Sequence, residues 1–76
     1  MPMAYVMLNL EPGDEGQMLR SLRKIAAVEE AHRIYGVYDI IVKVRADNLD
    51  RLRETVSKHM RSLDKVRSTL TMIVIE

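Results

Sequence analysis

Apolar positions in this chain fall into blocks that switch between a strand-like and a helix-like period, and the switches mark the elements. Residues 4–10 (Ala-Tyr-Val-Met-Leu-Asn-Leu) form a compact apolar run closed by Glu11-Pro12-Gly13, the pattern of a strand followed by a turn. Asp14 can then cap a helix. Gln17 lies at capping-box spacing three residues on, and Met18, Leu19, Leu22, Ile25 and Ala26 recur on one helical face. Residues 28–35 mix Glu29, Glu30, His32 and Arg33 with Val28, Ala31 and Ile34, which suits an edge strand better than a central one. Gly36-Val37 separates them from a strand over residues 38–45. A two-residue loop with glycine first is the signal of a type II′ hairpin, since glycine takes φ > 0 there without strain, so the two strands should pair antiparallel. Asp47 offers a second N-cap with Asp50 three residues later, and Leu49, Leu52, Val56, Met60 and Leu63 form a helical stripe. Residues 66–75, rich in β-branched side chains, read as a long last strand.

The resulting order, β-α-β-β-α-β, is the ferredoxin-like α+β arrangement. Right-handed crossovers place both helices on one face of a four-stranded antiparallel sheet. Residues 1–76 then make a single domain, whose only repeat is topological. A sheet with helices on one side and water on the other should alternate apolar and polar side chains. Val6-Met7-Leu8, Ile40-Ile41-Val42 and Met72-Ile73-Val74-Ile75 do not alternate, so apolar groups reach both faces. Two helices cannot cover both. At about 25 cal/mol per Å² of apolar surface, leaving the second face wet forgoes several kcal/mol, comparable to the net stability of so small a domain. A homodimer packed sheet against sheet, the architecture of a dimeric α+β barrel, is the expected remedy.

Composition narrows the function classes. Seventy-six residues with 47% hydrophobic and 30% charged side chains leave no room for a multidomain enzyme. No apolar stretch approaches the roughly 20 residues of a membrane-spanning helix, and Met1-Pro2-Met3 lacks the features of a signal peptide, so a cytoplasmic location and no membrane partner are expected. The absence of cysteine excludes disulfides, thiolate metal sites and cysteine nucleophiles. A formal charge of +1 argues against direct nucleic-acid binding. Between residues 51 and 67, Arg51, Arg53, Lys58, Arg61, Lys65 and Arg67 outnumber Glu54 and Asp64; this reads as a solvated helix face, with a nucleic-acid surface as the alternative. His32 and His59 lie on different elements and suit structural roles, so no metal is expected. Gly13, Gly16 and Gly36 lack phosphate-loop spacing, and no cofactor is expected.

One cluster invites a sharper reading: Gly36, Tyr38 and Asp39 at the hairpin, with Ser68, Thr69 and Thr71 on the last strand. An aspartate opening an apolar strand costs stability unless it is paired or hydrated. Asp39 therefore needs a partner, which turn amides and water could supply as well as a ligand. The run Ile34-Tyr35-Gly36-Val37-Tyr38-Asp39-Ile40-Ile41-Val42-Lys43-Val44, then Asp47-Asn48-Leu49, then Val66-Arg67-Ser68-Thr69-Leu70-Thr71-Met72-Ile73-Val74, resembles the effector-binding (RAM) domain of the Lrp/AsnC, or feast/famine, transcription regulators. The likeness covers essentially the whole chain.

That resemblance implies dimerisation through the sheets, assembly of dimers into a higher oligomer, and an amino-acid effector bound between neighbouring dimers. It maps the ligand-binding residues onto Gly36, Tyr38 and Asp39, with Ser68, Thr69 and Thr71 opposite them from a neighbouring subunit. Glycine-turn amides can receive an α-carboxylate, Asp39 an ammonium, and the hydroxyls can orient either. Family members carry a helix-turn-helix domain ahead of this module, so the expected form is the stand-alone one, acting on transcription through full-length relatives. Asp64-Lys65-Val66 stands where the family often has Pro-Gly before the valine. The rival readings are a small enzyme of the dimeric α+β barrel type and a ligand-free subunit for co-assembly.

Overall fold

Every second residue of the first strand is buried, and that alternation organises the molecule. In the computed structural model, which describes residues 1–61 and 65–75, the chain forms β1 (Met3–Leu10), α1 (Glu15–Arg23), β2 (Val28–Arg33), β3 (Ile40–Arg45), α2 (Leu49–Val56), a π-helical turn (Ser57–Arg61) and β4 (Val66–Val74). The four strands make one antiparallel sheet in the order β2-β3-β1-β4. Ala4, Val6, Leu8 and Leu10 of β1 point to one face; Val6 is paired with Val42 and Leu8 with Ile40 of β3. Both helices cover this face. Met18 and Leu22 of α1, Leu52 and Val56 of α2, and Met60 join the strand residues in a single buried cluster. The ferredoxin-like α+β architecture is thus the one the periodicity predicts, with β2 at an edge.

Local chemistry differs from expectation at five points. The hairpin is not a two-residue type II′ turn at Gly36-Val37. β2 ends at Arg33 and β3 begins at Ile40, and the loop is closed by Ile34 N–H donating to Asp39 O at 2.9 Å. Tyr35 and Tyr38 therefore lie in a loop, and Gly36, at φ +156°, is far more extended than the first residue of a II′ turn. The cause lies at Asp39, whose backbone N–H and carboxylate are both engaged by β1.

At α1, Asp14 is the N-cap residue but its side chain makes no capping bond; its carboxylate lies 3.5 Å from Lys65 Nζ instead. The helix ends at Arg23, so Ile25 and Ala26 follow it, and Ile25 still packs against the core. At α2 the cap is Asn48 rather than Asp47, with Oδ1 accepting Arg51 N–H at 2.8 Å. Leu49, expected on the apolar stripe, is exposed, whereas Leu52, Val56 and Met60 are buried. Each i+4 step drifts by about 40° around an ideal α-helix; the wider π-helical turn takes up that drift and keeps Met60 on the inner face. Leu63, the last member of the stripe, lies outside the described residues.

Because Asn48 alone supplies the α2 cap, Asn48→Ala should lower stability by about 1 kcal/mol, a fall of roughly 4–8 °C in melting temperature for a domain of this size. Asp47→Ala should leave it nearly unchanged. Thermal unfolding followed by circular dichroism reads the difference.

Candidate functional site

The end of the sheet at which β1 finishes collects most of the chemistry. Asp39 N–H donates to Leu8 O at 2.9 Å, Asp39 O accepts from Ile34 N–H at 2.9 Å, and Asp39 Oδ2 accepts from Leu10 N–H at 2.8 Å. One residue thus ties the loop of residues 35–38 to the last turn of backbone in β1. On the other side of β1, Leu8 is paired with Thr69, Asn9 with Ser68 and Leu10 with Val66, across an irregularity in register at Asn9/Leu10. Asp39 and the Ser68-Thr69 pair consequently flank the same three residues of β1, two strand spacings or about 10 Å apart.

Of the six residues expected at the site, Gly36, Tyr38 and Asp39 come together in one loop, and Ser68 and Thr69 reach the same end of the sheet. Thr71, paired with Val6, lies two residues further from that end. The three hydroxyls do not share a face. Cross-strand partners point the same way, so Ser68 follows Asn9 onto the open face, while Thr69 and Thr71 follow the buried Leu8 and Val6 onto the helix side. Asp39 Oδ1 has no hydrogen bond to another described residue, nor do the amides of residues 35–38. The loop therefore offers one carboxylate oxygen and a run of unengaged N–H donors. Among the described residues no group of three or more His, Asp or Glu side chains is placed to hold a metal ion.

The open face of the sheet is divided lengthwise. On β1 and β4 it carries Met3, Tyr5, Met7, Leu70, Met72 and Val74, with Leu70 and Met72 more than 40% exposed. On β2 and β3 it carries a charge lattice that residue-by-residue reading missed. A register shift between Val28 and Glu30 sets both Glu29 and Glu30 against Lys43, at 3.5 and 3.7 Å, while Arg45 Nε donates to Glu29 at 2.6 Å and His32 Nε2 lies 3.1 Å from Glu30. The available signal was two consecutive glutamates in a strand otherwise of period two, which is how a bulge reads. The hydrogen bond from Arg45, aided by the charges of Arg45 and Lys43, holds Glu29 below the usual carboxylate range; for Glu30 the hydrogen bond with His32 leads, followed by the charge of Lys43.

Residues 3–76 match the family model described as the Lrp/AsnC ligand binding domain. The chain belongs to the Lrp/AsnC family. Among curated relatives, the proline dehydrogenase transcriptional activator of Rhizobium radiobacter is 36% identical over 56 residues, 74% of this chain and 36% of that protein. The regulatory protein AsnC of Escherichia coli K12 is 30% identical over 63 residues, 83% of this chain and 41% of its own length. The chain spans half or less of the curated relatives it matches. Among solved structures, FFRP-DM1 superposes with a TM-score of 0.95 at 33% identity, covering 99% of this chain and 100% of that one. E. coli AsnC superposes at 0.89 and 26% identity, covering 99% of this chain and 51% of that one. The curated relatives are transcription regulators, so the domain is a regulatory ligand-binding domain of the Lrp/AsnC type, not the α+β barrel enzyme held as a rival reading.

Two outcomes follow from this geometry. Asp39→Ala removes the acceptor for Leu10 N–H and should cost about 1.5–3 kcal/mol, whereas Asp39→Asn, which keeps an acceptor oxygen, should recover part of that loss; urea unfolding of the two variants is the measurement. Glu29 and Glu30 ionise more readily in the folded chain than at the ordinary value of 4.5, so their contribution is present above that pH and is lost as pH falls through their lower folded values. Melting temperature should accordingly drop below pH 4.5, less steeply in Glu29→Gln and at high salt.

Proposed function

We propose that this domain is an effector-responsive oligomerisation module. Two copies bury the apolar half of the open face against each other, and a small amino acid binds at a junction between subunits formed by the loop of residues 35–38, Asp39 and the start of β4. The effector changes the balance between assemblies by binding one better than another. Transcription is modulated in the cytoplasm through relatives that carry a DNA-binding domain.

The observation that carries this reading is the strip of Met3, Tyr5, Met7, Leu70, Met72 and Val74, which no element of the chain covers among the described residues. A two-fold contact places the same strip on both partners, and the charge lattice of β2 and β3 then falls at its rim, where ion pairs stay hydrated. At the sheet end, Asp39 Oδ1 suits an ammonium and the amides of residues 35–38 suit a carboxylate, the two charged ends of a free amino acid. Ser68 belongs to the open side of such a junction and Thr69 and Thr71 to the helix side, so hydroxyls from different neighbours contact the ligand.

Thermal-shift measurements against the twenty amino acids test the effector. A true one raises stability by RT ln(1 + [L]/Kd), about 2.7 kcal/mol at a hundredfold excess over Kd; no shift with any of them at millimolar excess would remove the sensing role. Leu70→Glu sets a carboxylate in the middle of the apolar strip, and light scattering should then give the mass of a single chain with the circular dichroism of the folded domain retained.

A further inference from the structure

A groove lies at the end of the sheet opposite Asp39, where β1 starts and β3 finishes. Its two sides are α2 and residues 24–27, the connection from α1 to β2. Lys24, Ile25, Ala26, Ala27, Thr55 and His59 line a hollow of about 470 Å³. A second hollow of about 360 Å³ shares Ala26, Ala27 and Thr55 and runs on past Ala46 to Asp47 and Arg51. Each falls within the roughly 300–1,000 Å³ of small-molecule sites. Arg51, Thr55 and His59 recur at four-residue steps, so one side of α2 and the π-helical turn supplies a wall, and Ala26, Ala27 and Ala46 supply an apolar floor. The polar groups along the groove are not spent on the fold. Lys24 Nζ, the His59 ring, the Thr55 hydroxyl, the Arg51 guanidinium and the Asp47 carboxylate make no hydrogen bond or ion pair with another described residue, and neither do the amides of Ala26 and Ala27.

We propose that this groove binds a purine nucleoside monophosphate. No carboxylate lines the Lys24–His59 end, so the ammonium of a free amino acid has no counter-charge there, whereas a phosphate meets two unengaged nitrogen donors. Midway, the Thr55 hydroxyl and the amides of Ala26 and Ala27 suit sugar oxygens. At the far end one free carboxylate stands with one free guanidinium: Asp47 accepts from an N–H of the base and Arg51 donates to a ring nitrogen or carbonyl, while the flat ring lies on the alanine floor. Residues 51 and 59 are about 12 Å apart along a helix, the reach of an extended nucleotide from phosphate to base edge. The six residues of β3 put the groove about 17 Å from Asp39. It also lies on the helix side of the domain, so packing of the open sheet faces leaves it accessible.

Isothermal titration calorimetry of the full chain with adenosine monophosphate and guanosine monophosphate tests the site. One nucleotide should bind per chain. Adenosine, which lacks the phosphate, and inorganic phosphate, which lacks the base, should each bind about tenfold more weakly or worse, the loss of a charge-assisted hydrogen bond or more. Lys24→Ala combined with His59→Gln should weaken both nucleotides by about the same factor. Asp47→Ala should erase the preference for purine over cytidine monophosphate, and Ala26→Trp, which fills the floor, should abolish binding. All these positions are at the surface or half-buried, so circular dichroism should be unchanged throughout. No heat from either purine nucleotide at millimolar concentration, inorganic phosphate binding as tightly as the nucleotides, or undiminished affinity in the Lys24→Ala, His59→Gln double variant would each overturn the proposal.

Discussion

A four-stranded sheet has two faces, and this chain provides helices for one. That constraint governs the rest of the molecule. The covered face takes Ala4, Val6, Leu8, Leu10, Ile40, Val42 and Val44 with the inner residues of both helices, and its core is closed without a buried polar side chain among the described residues. The other face must be made acceptable by different means in its two halves. β2 and β3 do so with a hydrated lattice of two glutamates, a lysine and an arginine. β1 and β4 carry methionines, aliphatic residues and Tyr5 there, with Asn9 and Ser68 at one end, and no described element of the chain covers them.

Periodicity made the fold legible because its signals were redundant. Compact apolar runs marked the strands at residues 4–10 and 40–45, whose burial alternates around one shared face, and Leu52, Val56 and Met60 repeat at helical spacing, so element order and the edge position of β2 could be read directly. Features decided by single contacts between distant residues were not legible. Asp39 had the chemistry of a residue in need of a partner, but that its partner is the Leu10 amide depends on β3 lying beside β1. That one contact moved the hairpin boundary from Gly36-Val37 to Ile34 and Asp39. Asp47 and Asn48 are equivalent cap candidates by residue type, and only the backbone path selects Asn48.

The candidate site was legible as a list of residues more than as an arrangement. Ser68, Thr69 and Thr71 look like one group in the sequence, yet successive residues of a strand point to opposite faces, and Ser68 is separated from the other two by the thickness of the sheet. The relatives supply the family, and the geometry supplies the placement of each candidate side chain. Asp39 spends one oxygen on its own fold, and its other oxygen has no hydrogen bond to a described residue. A ligand that draws on that second oxygen therefore pulls on the residue that fixes loop to strand, and does so opposite the irregular step between β1 and β4.

The pairing of β1 with β4 joins residues 3 and 74, almost the two extremes of the chain, whereas β2 and β3 are neighbours in sequence. Closing so large a loop is entropically costly and slow compared with forming a local hairpin. During synthesis β1 emerges before β4, and every residue between them must be made before the two can pair. Until β4 has emerged, one long edge of β1 stands open to chaperones or to nascent copies of the same chain.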